Sequence, residues 1–443
     1  LINDSLQKVA KGSVIIFIGT VLGMIFGFFY KLLIANNFSP SDYGNFSLGF
    51  TIFSFLSTMG ILGLNSGVTR QISYYLANKK NYNVKSTISF SLLFGLLTSI
   101  LVSIISYISA DWLASNIFKI PSLKFIIQIF SIAVPFYLLI NIFSSIFRGF
   151  GNSKEKVIFS DISRNLLFLI FVIIIIKLGF SFNLIVLSFS LSLFIALCLF
   201  AIYYLIKIKK IINLKFEGYL DFESGKKLLL FSLPLVFVSI LQQIMHWMDT
   251  LMLGLFKTSD VVGFYNAALP LGNFVSVSLA SMLFLFLPII SRLHSRNQSQ
   301  EINRIYIIMT KWLCLSTFSL TAILFLFPEI ILKSLFGSEY IVASSALQIL
   351  ALGLFLDNLI GPNGSTLTAF GETRFLMITT FFAAILNISL NYLLIPIYGL
   401  IGAALSTILS IIFMNIFRTF KLYKLSKVNP FNKNIFKPLV ISP

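Results

Sequence analysis

Long apolar runs constrain this chain more than any other feature of its sequence. Runs of about twenty residues, the length of helix that crosses roughly 30 Å of hydrocarbon, recur from Val14 almost to the C-terminus. Charged residues make up 11% of the 443 residues, against roughly 25% in a soluble domain. We therefore predict an all-α integral membrane protein with about twelve spanning helices. The predicted spans are 14–35, 44–66, 87–109, 123–147, 157–177, 183–206, 228–255, 263–290, 305–327, 344–368, 375–396 and 400–420.

The basic residues indicate the topology. A formal net charge of +18 would suggest a nucleic-acid partner if the protein were soluble. Here, however, 25 of the 33 lysines and arginines lie before the first span, in alternate connections or after the last span, and five lie in the opposite connections. Because cytoplasmic segments carry the excess of Lys and Arg, we predict a cytoplasmic N-terminus in the cell membrane. The basic face would meet anionic lipid headgroups, and no nucleic-acid partner is expected.

Sequence motifs for catalysis or cofactor binding are missing. The chain contains no Walker loop and no HExxH pattern, and its two histidines, His246 and His294, are far apart. Cys198 and Cys314 lie within apolar runs, without the spacing of a metal site or a disulfide, and are interpreted as buried small hydrophobic residues. We predict a protein that is not an enzyme and that holds no cofactor or metal centre. A coupling ion, sodium or a proton, is possible and is left open.

An internal repeat divides the predicted spans into two sets of six. Several local patterns recur at offsets of 218, 219, 222 and 220 residues. The matching pairs are Ser41-Asp42-Tyr43-Gly44 with Ser259-Asp260-Val261-Val262-Gly263, Arg70 with Arg292, and Phe150-Gly151-Asn152-Ser153-Lys154 with Phe370-Gly371-Glu372-Thr373-Arg374. Six is an even number, so both halves begin on the same side of the membrane and the repeat is parallel.

We accordingly predict two parallel six-helix bundles, at 1–215 and 216–427. An apolar stretch begins after Lys437 and stops at Pro443, so 428–443 is expected to start a further, truncated helix. The basic segment from Lys207 to Lys227 would link the bundles, and a substrate path would lie between them. A duplicated channel or scaffold would show the same repeat, and that alternative stays open.

The seventh span carries the densest group of polar residues. Gln242, His246 and Asp249 follow one another at spacings of four and three, which places them on one helical face, with Gln243 beside it. An ionisable side chain in the middle of a bilayer is costly and needs a partner, a wet cavity or a function. We expect this face to line a central cavity. A packing network satisfied by neighbouring helices is the alternative, and His246 with Asp249 would also suit proton uptake and release.

The first span combines three glycines with a lysine. Gly19, Gly23 and Gly27 form two small-xxx-small steps, which predict close approach of another helix, and Lys31 follows one turn later. Lys31 would either line the cavity or extend to the membrane interface.

Further polar residues fall inside or at the ends of the other spans. Asp161 and Arg164 are spaced to neutralise each other, and Arg70, Arg148 and Arg292 lie at cytoplasmic ends where they could meet a phosphate. The complete set of candidate substrate-cavity residues is Lys31, Arg70, Asn141, Arg148, Arg164, Gln242, Gln243, His246, Asp249, Arg292, Asp357, Asn387 and Asn391.

Three motifs resemble a known family. They are Ile34-Ala35-Asn36-Asn37-Phe38-Ser39-Pro40-Ser41-Asp42-Tyr43-Gly44, Met248-Asp249-Thr250-Leu251-Met252-Leu253-Gly254 and Val262-Gly263-Phe264-Tyr265. Together they resemble the polysaccharide biosynthesis, or O-antigen flippase, family, and the resemblance extends over residues 8–427. That family belongs to the superfamily of the multidrug and toxic compound extruders and the peptidoglycan lipid flippases.

The resemblance implies a V-shaped pair of six-helix bundles around a cationic cavity, acting as a monomer. It implies alternating access that moves a polyprenyl-diphosphate-linked oligosaccharide from the cytoplasmic to the outer leaflet. Two rival functions remain. A cation-coupled multidrug extruder often carries an intramembrane carboxylate in its first helix, where this chain has Lys31 and no acid. A membrane glycan polymerase or ligase would be expected to have a longer extracytoplasmic segment than those near 110–122 and 328–343.

Overall fold

The computed structural model describes residues 2–152, 154–211 and 221–426. These residues fold into helices joined by short connections, and no β-strand occurs among them. The first eight helices are α1 (Ile2–Asn37), α2 (Pro40–Ile61), α3 (Leu64–Ala77), α4 (Asn81–Trp112), α5 (Leu123–Gly149), α6 (Arg164–Lys177), α7 (Phe182–Ile211) and α8 (Phe222–Phe256). The others are α9 (Ser259–Ser295), α10 (Ser299–Leu326), α11 (Pro328–Phe336), α12 (Ser344–Ile360), α13 (Asn363–Ala369), α14 (Thr373–Tyr398) and α15 (Leu400–Ser426).

The predicted spans are confirmed as helices. Within the described ranges, eleven stretches are long and apolar enough to cross a membrane. The predicted eighth span, 263–290, lies inside α9, and each of the other predicted spans coincides with one helix or with two consecutive helical segments. The chain is therefore a multi-pass, all-α membrane protein.

Contacts group the chain into two compact units, Leu1–Gln243 and Ile244–Pro443, so the division falls within α8. The boundary expected from the repeat, between residues 215 and 216, lies before that helix, and the assignment of the two bundles stays a prediction. The middle of the linker and the expected truncated helix at 428–443 lie outside the described residues.

Two predicted spans are broken, the second and the tenth. The second span breaks between α2 and α3, where Leu62 and Gly63 have φ angles of 47° and 69°. A Cβ on Gly63 would lie 2.3 Å from the backbone oxygen of Ser232, so both the conformation and the space favour glycine. The tenth span breaks between α12 and α13 at Gly361, with φ of 80°, followed by Pro362. Broken helices leave backbone groups without helical partners, a feature that transporters place near their sites.

Helix α1 packs closely on the segment that precedes α6. This segment, Lys156–Ser163, is a π-helix. A Cβ on Gly19 would lie 1.9 Å from the Val157 side chain, and one on Gly23 would lie 2.7 Å from the backbone oxygen of Asp161. The prediction that the first-span glycines permit close helix approach is therefore confirmed at both positions.

Candidate functional site

A buried carboxylate lies at the centre of a polar network in the second unit. Asp249, on α8, is 7% exposed. Its Oδ2 accepts hydrogen bonds from the Tyr265 hydroxyl at 2.6 Å and from the Thr407 hydroxyl. Its Oδ1 accepts from the Asn391 amide at 2.8 Å and from the Asn387 amide at 3.5 Å. Four helices, α8, α9, α14 and α15, thus converge on one acid.

Local geometry explains how these side chains meet. Because α8 ends at Phe256 and α9 begins at Ser259, the two helices run antiparallel, and residues equally distant from the turn lie opposite each other. Asp249 and Tyr265 are such a pair. The Asn266 amide on α9 also donates a hydrogen bond to the Thr250 hydroxyl on α8, at 3.2 Å. On α14, residues at i and i+4 share one face, which places both asparagine side chains toward the carboxylate.

The donors around Asp249 are all neutral. Four hydrogen bonds fill the acceptor positions of an ionised carboxylate, and no Lys, Arg or His lies within ion-pair distance of it among the described side chains. The Oδ1 atom of Asn391 is buried there without a hydrogen-bond partner. An acid with oxygen-rich neighbours and no fixed counter-ion can take up a proton or a small cation, and both would remove the cost of a lone buried charge. The described residues contain no cluster of three or more His, Cys, Asp or Glu side chains suited to a metal.

The first unit places an aromatic cluster at the corresponding positions of the repeat. An offset of 219 residues relates Asp249, Tyr265 and Asn387 to Tyr30, Phe46 and Phe168. The Tyr30 and Phe168 rings lie 4.7 Å apart, and the Phe46 and Phe168 rings stack at 5.8 Å. The same helix junction is therefore stable without a buried acid. The second unit places a hydrogen-bonded acid at the positions where the first unit places aromatic rings.

The residues of the predicted polar face of the seventh span lie in different environments. Gln242 and His246 are exposed, whereas Asp249 is buried in the network. The Gln243 amide donates a hydrogen bond to the backbone oxygen of Ser54 at 3.0 Å. Asp249 therefore lies in a hydrogen-bonded packing network between neighbouring helices, which was the alternative to a cavity-lining position.

Arg148 and Asn141 lie along α5 in the first unit. One terminal nitrogen of Arg148 donates hydrogen bonds to the backbone oxygen of Asn65 at 3.1 Å and to the Ser145 hydroxyl at 3.2 Å. Its Nε is buried and has no partner among the described atoms. Asn141 donates to the backbone oxygen of Tyr137 at 2.8 Å. Arg148 is thus anchored beside the start of α3.

The expected ion pair between Asp161 and Arg164 is wrong: the described side chains do not form it. Asp161 accepts a hydrogen bond from Thr20 at 3.4 Å. Arg164 donates to Asn165 at 3.2 Å, and its guanidinium carbon lies 5.6 Å from the centre of the Tyr137 ring. The π-helix ending at Ser163 explains the difference, because its wider turn removes the i, i+3 alignment that an α-helix would provide.

The three remaining basic candidates occupy different environments. Lys31 is half-buried on α1, one turn beyond Gly27. Arg70 is exposed near the end of α3, with its guanidinium carbon 4.2 Å from the centre of the Phe231 ring. Arg292 is exposed in the last turn of α9.

Asp357 belongs to a second network, next to the break at Gly361. It accepts a hydrogen bond from Asn415, whose side-chain oxygen accepts from Asn363 at 2.9 Å. Arg418, on the same helix as Asn415, donates to the Thr380 hydroxyl at 2.9 Å. The two networks contain four of the predicted cavity residues: Asp249, Asp357, Asn387 and Asn391.

Sequence reasoning missed Tyr265, Thr407, Asn415 and Arg418 as site residues. Tyr265 could have been found, because it lies as far after Lys257 as Asp249 lies before it. No local signal distinguishes Thr407 and Asn415 from the other small polar residues of the spans, because their partners are far away in the sequence.

Comparisons with known proteins identify family models and relatives that match this chain. A family model described as "Polysaccharide biosynthesis protein" matches residues 9–294, and one described as MatE matches residues 234–393. An uncharacterized membrane protein of Methanocaldococcus jannaschii is 28% identical, over 96% of this chain and 86% of the relative. A probable low-salt glycan biosynthesis flippase of Haloferax volcanii is 31% identical, over 43% of this chain and 40% of the relative. A putative O-antigen transporter of Shigella flexneri is 21% identical, over 84% of this chain and 88% of the relative.

Solved structures show the same fold. An inward-facing multidrug resistance MATE family transporter of the MOP superfamily gives a TM-score of 0.76 at 16% identity, covering 94% of this chain and 99% of that one. The lipid II flippase MurJ, in an inward closed conformation, gives 0.73 at 18% identity, covering 92% of this chain and 87% of that one. The family model described as "Polysaccharide biosynthesis protein" matches residues 9–294, which is more than half of this chain. The chain therefore belongs to the polysaccharide biosynthesis protein family.

Proposed function

We propose that this protein is a flippase that moves a polyprenyl-diphosphate-linked oligosaccharide from the cytoplasmic to the outer leaflet by alternating access. The observation that carries the proposal is the family match over residues 9–294. The relatives support it, because one is named as a probable glycan biosynthesis flippase and another as a putative O-antigen transporter. The protein would act as a monomer in the cell membrane, with its N-terminus in the cytoplasm.

The chemistry of such a substrate fits the polar residues of the spans. A diphosphate and the hydroxyl groups of a glycan cannot cross hydrocarbon unaided, since polar groups must be hydrogen-bonded where water is absent. Arg148 and Lys31 are candidates for the diphosphate. Amide and aromatic side chains would contact the sugars, and the polyprenyl tail would stay in lipid.

The Asp249 network is our candidate for the driving step. A proton or a monovalent cation bound there would neutralise an acid that four helices share. Its arrival or release would change the hydrogen bonds among α8, α9, α14 and α15. In this proposal, an ion gradient acts through the second unit, while basic residues of the first unit bind the substrate.

A cation-coupled multidrug extruder is the second candidate function. The MatE match over residues 234–393 and the TM-score of 0.76 to a multidrug resistance transporter favour it. The solved structure is 16% identical, so it shows the fold alone.

Flipping in proteoliposomes separates the two functions. A fluorescent polyprenyl-diphosphate oligosaccharide, placed in one leaflet, would become accessible to an impermeant quencher only when it is moved. We expect movement by the protein and its loss in Arg148→Gln, with Lys124→Gln as the control. Lys124, at the start of α5, is also basic but pairs at 2.8 Å with Asp111, at the end of α4. Expulsion of cationic dyes, without movement of the lipid-linked probe, would instead establish the extruder.

A further inference from the structure

We propose that a groove between α4 and the first half of α8 binds one acyl chain of an anionic phospholipid, with Lys226 holding the lipid phosphate. The groove lies wholly within the first unit, and the proposal does not depend on which substrate is transported.

The walls of the groove are apolar. It encloses about 360 Å³, more than twice the cavity of about 150 Å³ that accommodates benzene. Its lining residues are Phe90, Phe94, Lys226, Leu229, Leu230 and Leu233. The Phe90 and Phe94 rings stack at 5.5 Å with an angle of 10° between their planes. A hydrocarbon segment fits these walls, whereas a polar ligand would find no hydrogen-bonding group except at the lysine.

Two leucines of the groove are exposed on α8. Leu230 is 63% exposed and Leu233 is 51% exposed. Lys226, Leu229, Leu230 and Leu233 are spaced as one face of α8, with the charged residue nearest the start of the helix. A lipid lying along this face would place its chain over the leucines and its headgroup at the lysine.

Lys226 is available to the headgroup. Its neighbour Lys227 forms an ion pair with Glu223 at 2.7 Å, one helical turn away. Lys226 is exposed and has no carboxylate within ion-pair distance in the described ranges. A lysine whose stem lies on apolar surface and whose ammonium reaches the interface is well suited to a lipid phosphate.

The end of the groove at Lys226 lies where α4 and α8 begin. The Asn83 amide donates to the Ser224 hydroxyl at 3.2 Å, and the Ser86 hydroxyl accepts from the backbone N–H of Asp221 at 3.2 Å. These contacts join the start of α4 to the start of α8. Lys79 and Lys80 immediately precede α4, so the positive-inside rule assigns this end to the cytoplasmic leaflet.

Among the described residues that line the groove, Lys226 is the one basic residue, and this favours a phospholipid over the proposed transport substrate. The phosphodiester of phosphatidylglycerol carries a single negative charge, which one ammonium balances. A polyprenyl diphosphate carries about two charges and is expected to need at least one further basic group.

Native mass spectrometry of the whole protein in neutral detergent tests the site. We expect dioleoyl-phosphatidylglycerol to bind in preference to dioleoyl-phosphatidylcholine, and Lys226→Gln to weaken that binding about fivefold. Lys227→Gln is the matched control and should leave it unchanged. Equal binding of the two lipids, or equal losses in the two variants, would overturn the proposal.

A second measurement places the chain in the groove. In a Phe94→Trp variant, phosphatidylglycerol with brominated acyl chains should quench the added tryptophan fluorescence more strongly than brominated phosphatidylcholine does. The preference should disappear when Lys226→Gln is added. If a polyprenyl phosphate displaced phosphatidylglycerol at equal concentration, the groove would belong to the substrate tail and our assignment would be wrong.

Discussion

The hydroxyl of Tyr265 donates a hydrogen bond to the carboxylate of Asp249 across 2.6 Å, and both side chains are buried. Tyr265 lies on α9 and Asp249 on α8, and the short turn between these helices makes the two residues face each other. The corresponding pair in the first half, Tyr30 and Phe46, makes an aromatic contact at 6.5 Å. The two halves of the repeat thus use one geometry for different chemistry.

Removing the charge of Asp249 should separate coupling from folding. In Asp249→Asn, the side chain still fills its space and retains one oxygen acceptor, so we expect folded protein. We also expect flipping to lose its dependence on a sodium or proton gradient in proteoliposomes. Asp161→Asn is the control, because Asp161 is an acid within a span that lies outside the network. Gradient dependence that survives in Asp249→Asn would exclude this acid as the coupling site.

Tyr265→Phe should cost stability through Asp249. The change removes one of the two hydrogen bonds to Oδ2 and leaves a buried acceptor short of a donor, at a cost of about 1–3 kcal/mol. Chemical unfolding in detergent measures this loss in the free energy of unfolding. In the background of Asp249→Leu, the same change should cost less, with a coupling energy of about 0.5–3 kcal/mol. Additive effects of the two changes would mean that the hydrogen bond contributes nothing to stability.

Gly63→Ala should destabilise the first unit more than Gly151→Ala does. Both glycines have positive φ angles, 69° and 80°, so alanine is strained by about 1–2 kcal/mol at either position. Only at Gly63 would the added Cβ also meet backbone, 2.3 Å from the oxygen of Ser232, whereas at Gly151 nothing lies within 4 Å. Thermal unfolding of the two variants should therefore differ by several degrees. Equal melting temperatures would show that α8 moves away from Gly63 at little cost.

Asp221 should stabilise the start of α8 only above acidic pH. Hydrogen bonds from the Ser224 hydroxyl, and then from the backbone N–H of Glu223, lower the pKa of Asp221 below its usual value. A lowered pKa in the folded protein means that the contribution is complete above the usual aspartate pKa, near 3.9, and is lost as pH falls through the lowered value. Hydrogen exchange of the Glu223 and Ser224 amides should be faster in Asp221→Ala at neutral pH. A difference that persisted at pH 2 would contradict this explanation.

Many features of the fold were predictable because they depend on short stretches of chain. A span requires an apolar run of a certain length, so the positions of the spanning helices could be read directly from the sequence. The repeat was visible for the same reason, since its matching patterns are local. The acids Asp249 and Asp357 stood out because an ionisable residue in an apolar run is costly wherever its neighbours are.

The partners of those acids depended on the tertiary structure. Thr407 lies far along the chain from Asp249, and only the packing and rotation of α15 against α8 bring its hydroxyl to the carboxylate. The π-helix before Arg164 changed which side chains face each other, and no sequence spacing predicted it. Spacing along one helix determines which residues share a face. The way several helices pack then decides whether that face meets lipid, an aromatic cluster or a ring of hydrogen-bond donors.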